Sequence, residues 1–544
     1  MTASITEQGI ASYGSYIAGK DVPGDHWVYV FSATAILEDT FAMLALKRQL
    51  ERGDPAAPAE LPPAVVARVA VADADAVADA LSAAAAAFPT WRAFPLEARF
   101  DTVGARIHAN LIEHREAIEH LMVEEGHPIA VARFEVGAII DSYSPQALAY
   151  LRGQLWWETR RDGRRIVIRR RPDGVVCVNP PANSPTVSAA FFAAAVLGGN
   201  TVVVRAPRTV PLSIMYTMRE VIAPALDAVG APPGTLNVVC GQPAPMMETW
   251  LNSPHVADII HVGSVESGRK YEQLCVAAGK KPILELSGND LVLVWADADL
   301  PAAAAVLVES FFGSGQICML PNQALVHPAV ADELIALMVE RAREVRPGYP
   351  EEPGALLAPV LRQDGYRNVL ADAVRKGARV VTGGHGMDFD GNRDERGFFL
   401  APTIVRVDGL AAAREVDAVA HETFFPLLPV VVPDPADESR LLDEFVDFAN
   451  SNPYGLRNSL WARDPAVIDR FLRDVDNGGV LKINDSHLGY LAPLAPQGGT
   501  GVTGGVFGEA SYPVLRTTRL QSVAIVESGS GTPAIVPAPL GGES

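Results

Sequence analysis

Apolar and polar positions follow two rhythms along this chain. From residue 73, "ADADAVADALSAAAAAFPTW" and "RFDTVGARIHANLIEHREAIEHLMVEEG" carry apolar residues at helical spacing, which predicts helices. Between 174 and 294 short apolar runs alternate with helical ones. "GVVCVN", "TVVVRA", "TLNVVC", "ADIIHVG" and "PILEL" read as strands, separated by helices at 186–197, at 211–228, after "TLNVVC" and at "ESGRKYEQLCVAAG". Strands alternating with helices predict a doubly wound, mostly parallel sheet. A second α/β stretch runs from 291 to about 480, with strands such as "LVLVWA", "QALVHP", "ARVVTGG" and "LPVVVP". "RRIVIRRR" at 164–171 follows Asp162-Gly163, a hairpin turn pair, so this region reads as two strands. Residues 53–64 are Pro/Ala-rich and read as a surface loop, and 529–544 reads as a loose tail. No internal repeat is visible.

The most apolar stretch, "TVSAAFFAAAVLGGNTVVV" at 186–204, is long enough to suggest a membrane span. Gly198-Gly199-Asn200 divides it into an Ala-rich half and a Val-rich half. A buried helix, a turn and a buried parallel strand are expected instead.

A chain of 544 residues is too long for one ordinary core and implies two or three folding units. A net charge of −19 makes nucleic acid and anionic membrane unsuitable as general partners. The four cysteines, Cys177, Cys240, Cys275 and Cys318, have no CxxC spacing, so neither a zinc site nor a disulfide framework is indicated. The start, "MTASITEQGI", lacks a basic segment followed by an apolar one, and a cytoplasmic, reducing setting is expected.

Candidate chemistry is sparse at first sight. Cys318 lies just after a turn of small residues, Gly313-Ser314-Gly315, yet most lone cysteines only fill space. "DIIHVGSVESG" runs from a strand through Gly263-Ser264 into a helix that starts near Val265. That arrangement suits a phosphate, but a plain helix cap fits equally well, and no GxGxxG is present. Ser267 and Lys270 fit SxxK without companion motifs, and His120 and His127 lack ligand spacing and read as solvated-face residues. No metal site is expected. The arginines at 160–171 lack interleaved aromatics and read as a solvated or subunit-facing strand pair.

Eight stretches, in order, resemble one family. They are "PPANSP" (180–185), "NTVVVRAPRT" (200–209), "HVGSVESG" (261–268), "LELSGN" (284–289), "GSGQIC" (313–318), "GFFLAPTI" (397–404), "HETFFP" (421–426) and "NPYGLRNSLWARD" (452–464). Together they look like the aldehyde dehydrogenase superfamily, over roughly residues 65–525. The resemblance implies a Rossmann-like cofactor domain without GxGxxG, an α/β catalytic domain and a β-strand arm that joins subunits. The expected boundaries are 1–155 and 174–287 for the cofactor domain and 288–500 for the catalytic domain. The arm is expected at 156–173 and 501–530, followed by a tail at 531–544. A homodimer or homotetramer acting on a small aldehyde is implied.

The resemblance also assigns roles. Cys318 matches the nucleophile, whose thiolate would attack the aldehyde carbon and pass through a thiohemiacetal to a thioester. Asn183 and the backbone N–H of Cys318 match the oxyanion donors. Glu285 matches the base that activates water; a glutamate after a buried strand-like run is itself unusual. Glu422 and Phe424 match positions at the nicotinamide ribose and ring, and Gly263 and Ser264 those facing the pyrophosphate. CoA-acylating relatives generally lack a glutamate at the base position, so Glu285 favours release of an acid. A CoA-acylating semialdehyde dehydrogenase and a cofactor-binding homologue without catalysis stay open as alternatives.

Four departures stand out. The family's cofactor-binding lysine, with a glutamate three residues later, is replaced by Arg205 and Arg208. Two guanidinium groups suit a 2′-phosphate, so NADP is the expected cofactor, with NAD as the alternative. Ala182 precedes Asn183 where an aromatic is common, Ser184 follows it, and Gln497 stands at another aromatic place, implying a roomier and more polar tunnel. The helix that follows Asn183 looks one residue short. Residues 28–64 read as an insertion.

Overall fold

The computed structural model describes residues 4–6, 9–58, 60–161, 163–434, 438–490, 493 and 498–526. The alternation between 174 and 294 forms the parallel core of an 11-stranded sheet. Its core strands are β1 (Val65–Val71), β2 (Val175–Asn179), β3 (Thr201–Pro207), β4 (Leu236–Gly241), β5 (Val256–Gly263) and β6 (Lys281–Leu286). They lie in the order β1-β4-β3-β2-β5-β6, all parallel. Helices cover both faces, so every residue of β2, β3 and β4 is buried.

The apolar stretch at 186–204 divides as expected. It forms helices Pro185–Ala193 and Ala195–Gly198, a turn at Gly199 with φ +98°, and then β3. A Cβ on Gly199 would lie 2.3 Å from a guanidinium nitrogen of Arg99. Among the described residues, no helix is long and apolar enough to cross a membrane.

Ser287-Gly288-Asn289 leads from β6 directly into the second sheet. That sheet contains β7 (Asp290–Val294), β8 (Pro321–Val326), β9 (Arg379–Thr382), β10 (Thr403–Asp408), β11 (Leu427–Val432), β12 (Arg457–Trp461) and β13 (Val480–Ile483). The order is β9-β10-β11-β8-β7-β12-β13, parallel except at the β9 edge.

The arm is a three-stranded antiparallel sheet of Trp156–Arg161, Arg164–Pro172 and Thr518–Val526. Its C-terminal strand begins at Thr518 rather than at the expected 501. Helix Gly501–Gly504 packs against β6, and helix Pro513–Arg516 packs on the helices around 145–155 and 185–198. Residues 501–517 therefore belong with the body of the protein, and the chain joins the arm only at Thr518. Asp162 and residues 527–544, including the expected tail, lie outside the described residues.

The expected insertion is an ordered element. Strand His26–Phe31 pairs antiparallel with β1, and helices Ala33–Glu38 and Thr40–Arg52 follow. Asp39 caps the second helix by accepting from the Ala42 N–H, and Gly53 ends it at φ 63°. Met43, Leu46 and Leu50 pack toward Ile10, Phe31 and Val65. The Thr34 hydroxyl donates to the Glu351 carboxylate, which joins the insertion to the half of the chain that carries the second sheet.

Candidate active site

The approach to Cys318 is an unusual piece of backbone. Gly313, Ser314 and Gly315 have φ values of 56°, 58° and 75°, three left-handed residues in succession. Such a run is costly for Ser314, whose hydroxyl is anchored on the Ala358 carbonyl. Gly315 is required sterically, because a Cβ there would lie 2.1 Å from the Phe425 carbonyl oxygen. The turn carries Gln316 to Leu320 toward β8, and Gly288 admits this segment because it has no Cβ to strike the Cys318 carbonyl. Cys318 therefore sits in a turn before a strand.

Glu285 is the last residue but one of β6. Gly498 N–H donates to one of its oxygens at 2.8 Å, and the other lies 4.0 Å from the Cys318 sulfur. Burial raises the Glu285 pKa to about 7. Burial also pushes the Cys318 thiol well above its ordinary range, and the nearby carboxyls of Glu285, Glu422 and Asp290 add to that. Asn183 lies between β2 and the helix starting at Pro185, and its side-chain amide donates to the Gln316 carbonyl at 2.9 Å.

Cys318, Glu285 and Asn183 line one cavity of about 350 Å³ together with Gly263, Ser264, Glu422 and Phe424. The structure thus gathers seven of the residues singled out from the sequence. Ser264 caps helix Val265–Ala277 by accepting from the Ser267 N–H at 3.2 Å. Burial raises the Glu422 pKa to about 8, and its Oε1 is buried without a partner. Phe424 holds φ 58°, a strained conformation for an aromatic residue. Gln497 lies outside the described residues.

The two arginines do not form the expected clamp. Arg205 is buried and donates to the Asn179 side chain and to the carbonyls of Pro180 and Gly241. Its guanidinium is committed inside the protein. Arg208 is half-buried, its Nε has no hydrogen-bond partner, and Glu51 on the insertion approaches within 3.9 Å. Lys47 lies 3.9 Å from the same Glu51, so a carboxylate sits between two cations.

Sequence reading missed a buried chain of polar groups. Arg205 can only donate, so the Asn179 carbonyl must face it. The Asn179 amide then donates to His261 Nδ1 at 2.6 Å, which places the ring proton on Nε2. That proton is given to the Ser267 hydroxyl at 3.0 Å, which donates to the Ser264 carbonyl. Burial, with Arg205 nearby, lowers the His261 pKa to about 4, so the ring is neutral near pH 7. His127, read as a solvated-face residue, is in fact buried and bonds the Asn183 carbonyl at 3.1 Å. It lies in the connection between helices Arg115–Glu124 and Ile129–Ser142, off the helix that carries His120, so helix periodicity misplaced it.

Helices Pro243–Asn252 and Val265–Ala277 flank a groove of about 580 Å³ lined by Met247, Leu251, Tyr271 and Leu274. Among the described residues, no group of three or more His, Cys, Asp or Glu side chains is placed to hold a metal.

The sequence profile of the aldehyde dehydrogenase family matches residues 49–523. A 3,6-anhydro-alpha-L-galactose dehydrogenase of Streptomyces coelicolor is 30% identical over 414 residues, covering 75% of this chain and 78% of that protein. A lactaldehyde dehydrogenase of Escherichia coli K12 is 28% identical, covering 76% of this chain and 84% of the relative. The crystal structure of an NAD-dependent aldehyde dehydrogenase from Sinorhizobium meliloti superposes with a TM-score of 0.78 at 23% identity, covering 98% of each chain.

Proposed function

The chain belongs to the aldehyde dehydrogenase family, and from that premise we propose that Cys318, Glu285 and Asn183 oxidise an aldehyde to a carboxylic acid with NAD or NADP. The observation that carries this reading is a thiol and a buried carboxyl 4.0 Å apart in one cavity with an amide donor.

The residues present suit a dinucleotide. The two helices that flank the groove follow directly on the carboxyl ends of β4 and β5, where open α/β sheets take their ligands. Ser264 and the first turn of its helix would face the pyrophosphate, and Glu422, with its unpartnered oxygen, would take a ribose hydroxyl. Phe424 would pack on the ring. When bound, the dinucleotide supplies the acceptor for the hydrogen and electron pair that leave the aldehyde carbon.

The protein's own groups do the rest. Glu285 takes the Cys318 proton, which makes the nucleophilic thiolate. The thiolate adds to the carbonyl carbon, and the oxygen becomes negative within reach of the Asn183 amide and the Cys318 N–H. Oxidation leaves an acyl thioester on Cys318. Glu285 releases the proton taken from Cys318 to solvent and, again ionised, takes a proton from water, which attacks the thioester; the acid leaves as Glu285 returns the proton to the sulfur and the thiol reforms. A reducing cytoplasm would keep Cys318 in this form; all four cysteines are unpaired.

Arg208 is the arginine suited to a 2′-phosphate, with Lys47 nearby, so NADP is the preferred cofactor in this reading. The arm exposes Trp156, Trp157, Leu520 and Ile525, a face suited to a second copy in a homodimer or homotetramer.

The test is reduction of NAD and NADP by a panel of aldehydes, with and without CoA, and with product analysis. An acid product in both arms supports the reading; acyl-CoA would overturn the role given to Glu285.

A further inference from the structure

We propose that the substrate is a short aldehyde carrying a hydroxyl group and no carboxylate, recognised by Ser184 and Tyr490. The inference rests on the aldehyde-oxidising reading above and adds the substrate class.

Ser184 and Tyr490 line the same cavity as Cys318. Each has already committed its only hydroxyl proton. Ser184 donates to Glu135 Oε1 at 2.8 Å, and Tyr490 donates to the sulfur of Met319 at 3.0 Å. What remains on each oxygen is acceptor capacity, so both recognise groups that bring a proton. Neither is free to rotate to another role. Glu135 is 2% exposed and its other oxygen has no partner. The Tyr490 ring is held between the Phe134 ring, at 6.0 Å, and the Arg457 guanidinium, at 5.3 Å.

The same surroundings disfavour anionic substrates. No lysine or arginine lines the cavity among the described residues. Arg457, behind Tyr490, gives its terminal nitrogens to the carbonyls of His487 and Leu488 and to Met319. A substrate carboxylate would enter beside Glu285 and Glu422 with no cation to meet it. A neutral hydroxyl avoids that cost, and a cavity of about 350 Å³ favours a short chain.

The test compares kcat/KM for glyceraldehyde and lactaldehyde with that for propionaldehyde, succinic semialdehyde and an aminoaldehyde. The hydroxylated aldehydes are expected to exceed propionaldehyde by at least about tenfold, because an acceptor left unpaired penalises the deoxy analogue. Ser184→Ala and, independently, Glu135→Gln are expected to reduce that ratio to within about threefold. Equal turnover of propionaldehyde, or preference for the carboxylated or aminated aldehyde, would overturn the proposal. Failure to oxidise any aldehyde would instead overturn the reading on which it rests.

Discussion

The sulfur of Cys318 and a carboxyl oxygen of Glu285 lie 4.0 Å apart, and burial raises the pKa of both groups. Neither group ionises readily alone, but one proton moving between them produces a thiolate beside a neutral acid. One carboxyl can therefore serve both halves of the reaction.

The pH dependence follows from Glu285. Its pKa of about 7 exceeds the ordinary carboxylate value, so the basic form accumulates as pH rises through 7 and is lost below it. Thioester hydrolysis is expected to rise through about pH 7 and level off above, read from single-turnover kinetics. Glu285→Gln should remove that titration and slow steady-state turnover by about 10²–10⁴-fold. An unchanged pH profile in the variant would assign the base elsewhere.

Cys318→Ala should abolish turnover while leaving dinucleotide affinity within about threefold, because the proposed cofactor contacts come from Ser264, Glu422, Phe424 and Arg208. Calorimetric titration with NAD and NADP checks this. Residual turnover would remove Cys318 from the mechanism.

Arg205 and Arg208 should separate cleanly. Arg208→Glu is expected to weaken NADP relative to NAD by at least about tenfold in dissociation constant, and Glu51→Gln to shift the ratio the other way. Arg205→Leu leaves Asn179 and two carbonyls without a buried donor and should cost about 2–4 kcal/mol, seen as a lower midpoint in chemical denaturation. A stable Arg205→Leu protein with altered cofactor preference would reverse these assignments.

Gly315→Ala forces a Cβ against the Phe425 carbonyl in a left-handed backbone. The expected outcome is a loss of at least about 2 kcal/mol and of Cys318 reactivity toward iodoacetamide. Gly9→Ala, also at positive φ but with nothing within 4 Å, is the control for backbone strain alone.

Trp157→Arg with Leu520→Arg places charge on the exposed face of the arm. Sedimentation should then show a smaller species than the unaltered protein. No change in mass would move the subunit contact elsewhere.

The local parts of this molecule were legible in the sequence. β2, β3, β5 and β6 are short apolar runs between helices, and Cys318, Glu285 and Asn183 sit in recognisable surroundings. What failed to show was direction and distance. Arg205 and Arg208 are three residues apart in "RAPR", yet one turns into the protein and the other toward Glu51. Glu51, Asn179 and His261 acquire their partners only when distant segments fold together. The strand His26–Phe31 was absorbed into an insertion because its pairing with β1 is a tertiary event.

The chain from Arg205 through Asn179 and His261 to Ser267 has a consequence for assembly of the sheet. β2 and β3 are buried on both faces, so their apolar residues carry no inside-outside alternation to specify alignment. Sliding either strand by one residue would keep oil against oil. It would also point Asn179 or Arg205 to the opposite face and leave a guanidinium or an amide unpaired in the interior. A few ordered protons thus act as the alignment key for strands that hydrophobicity alone would let slip, and the same key sets Ser264 at the mouth of the cleft.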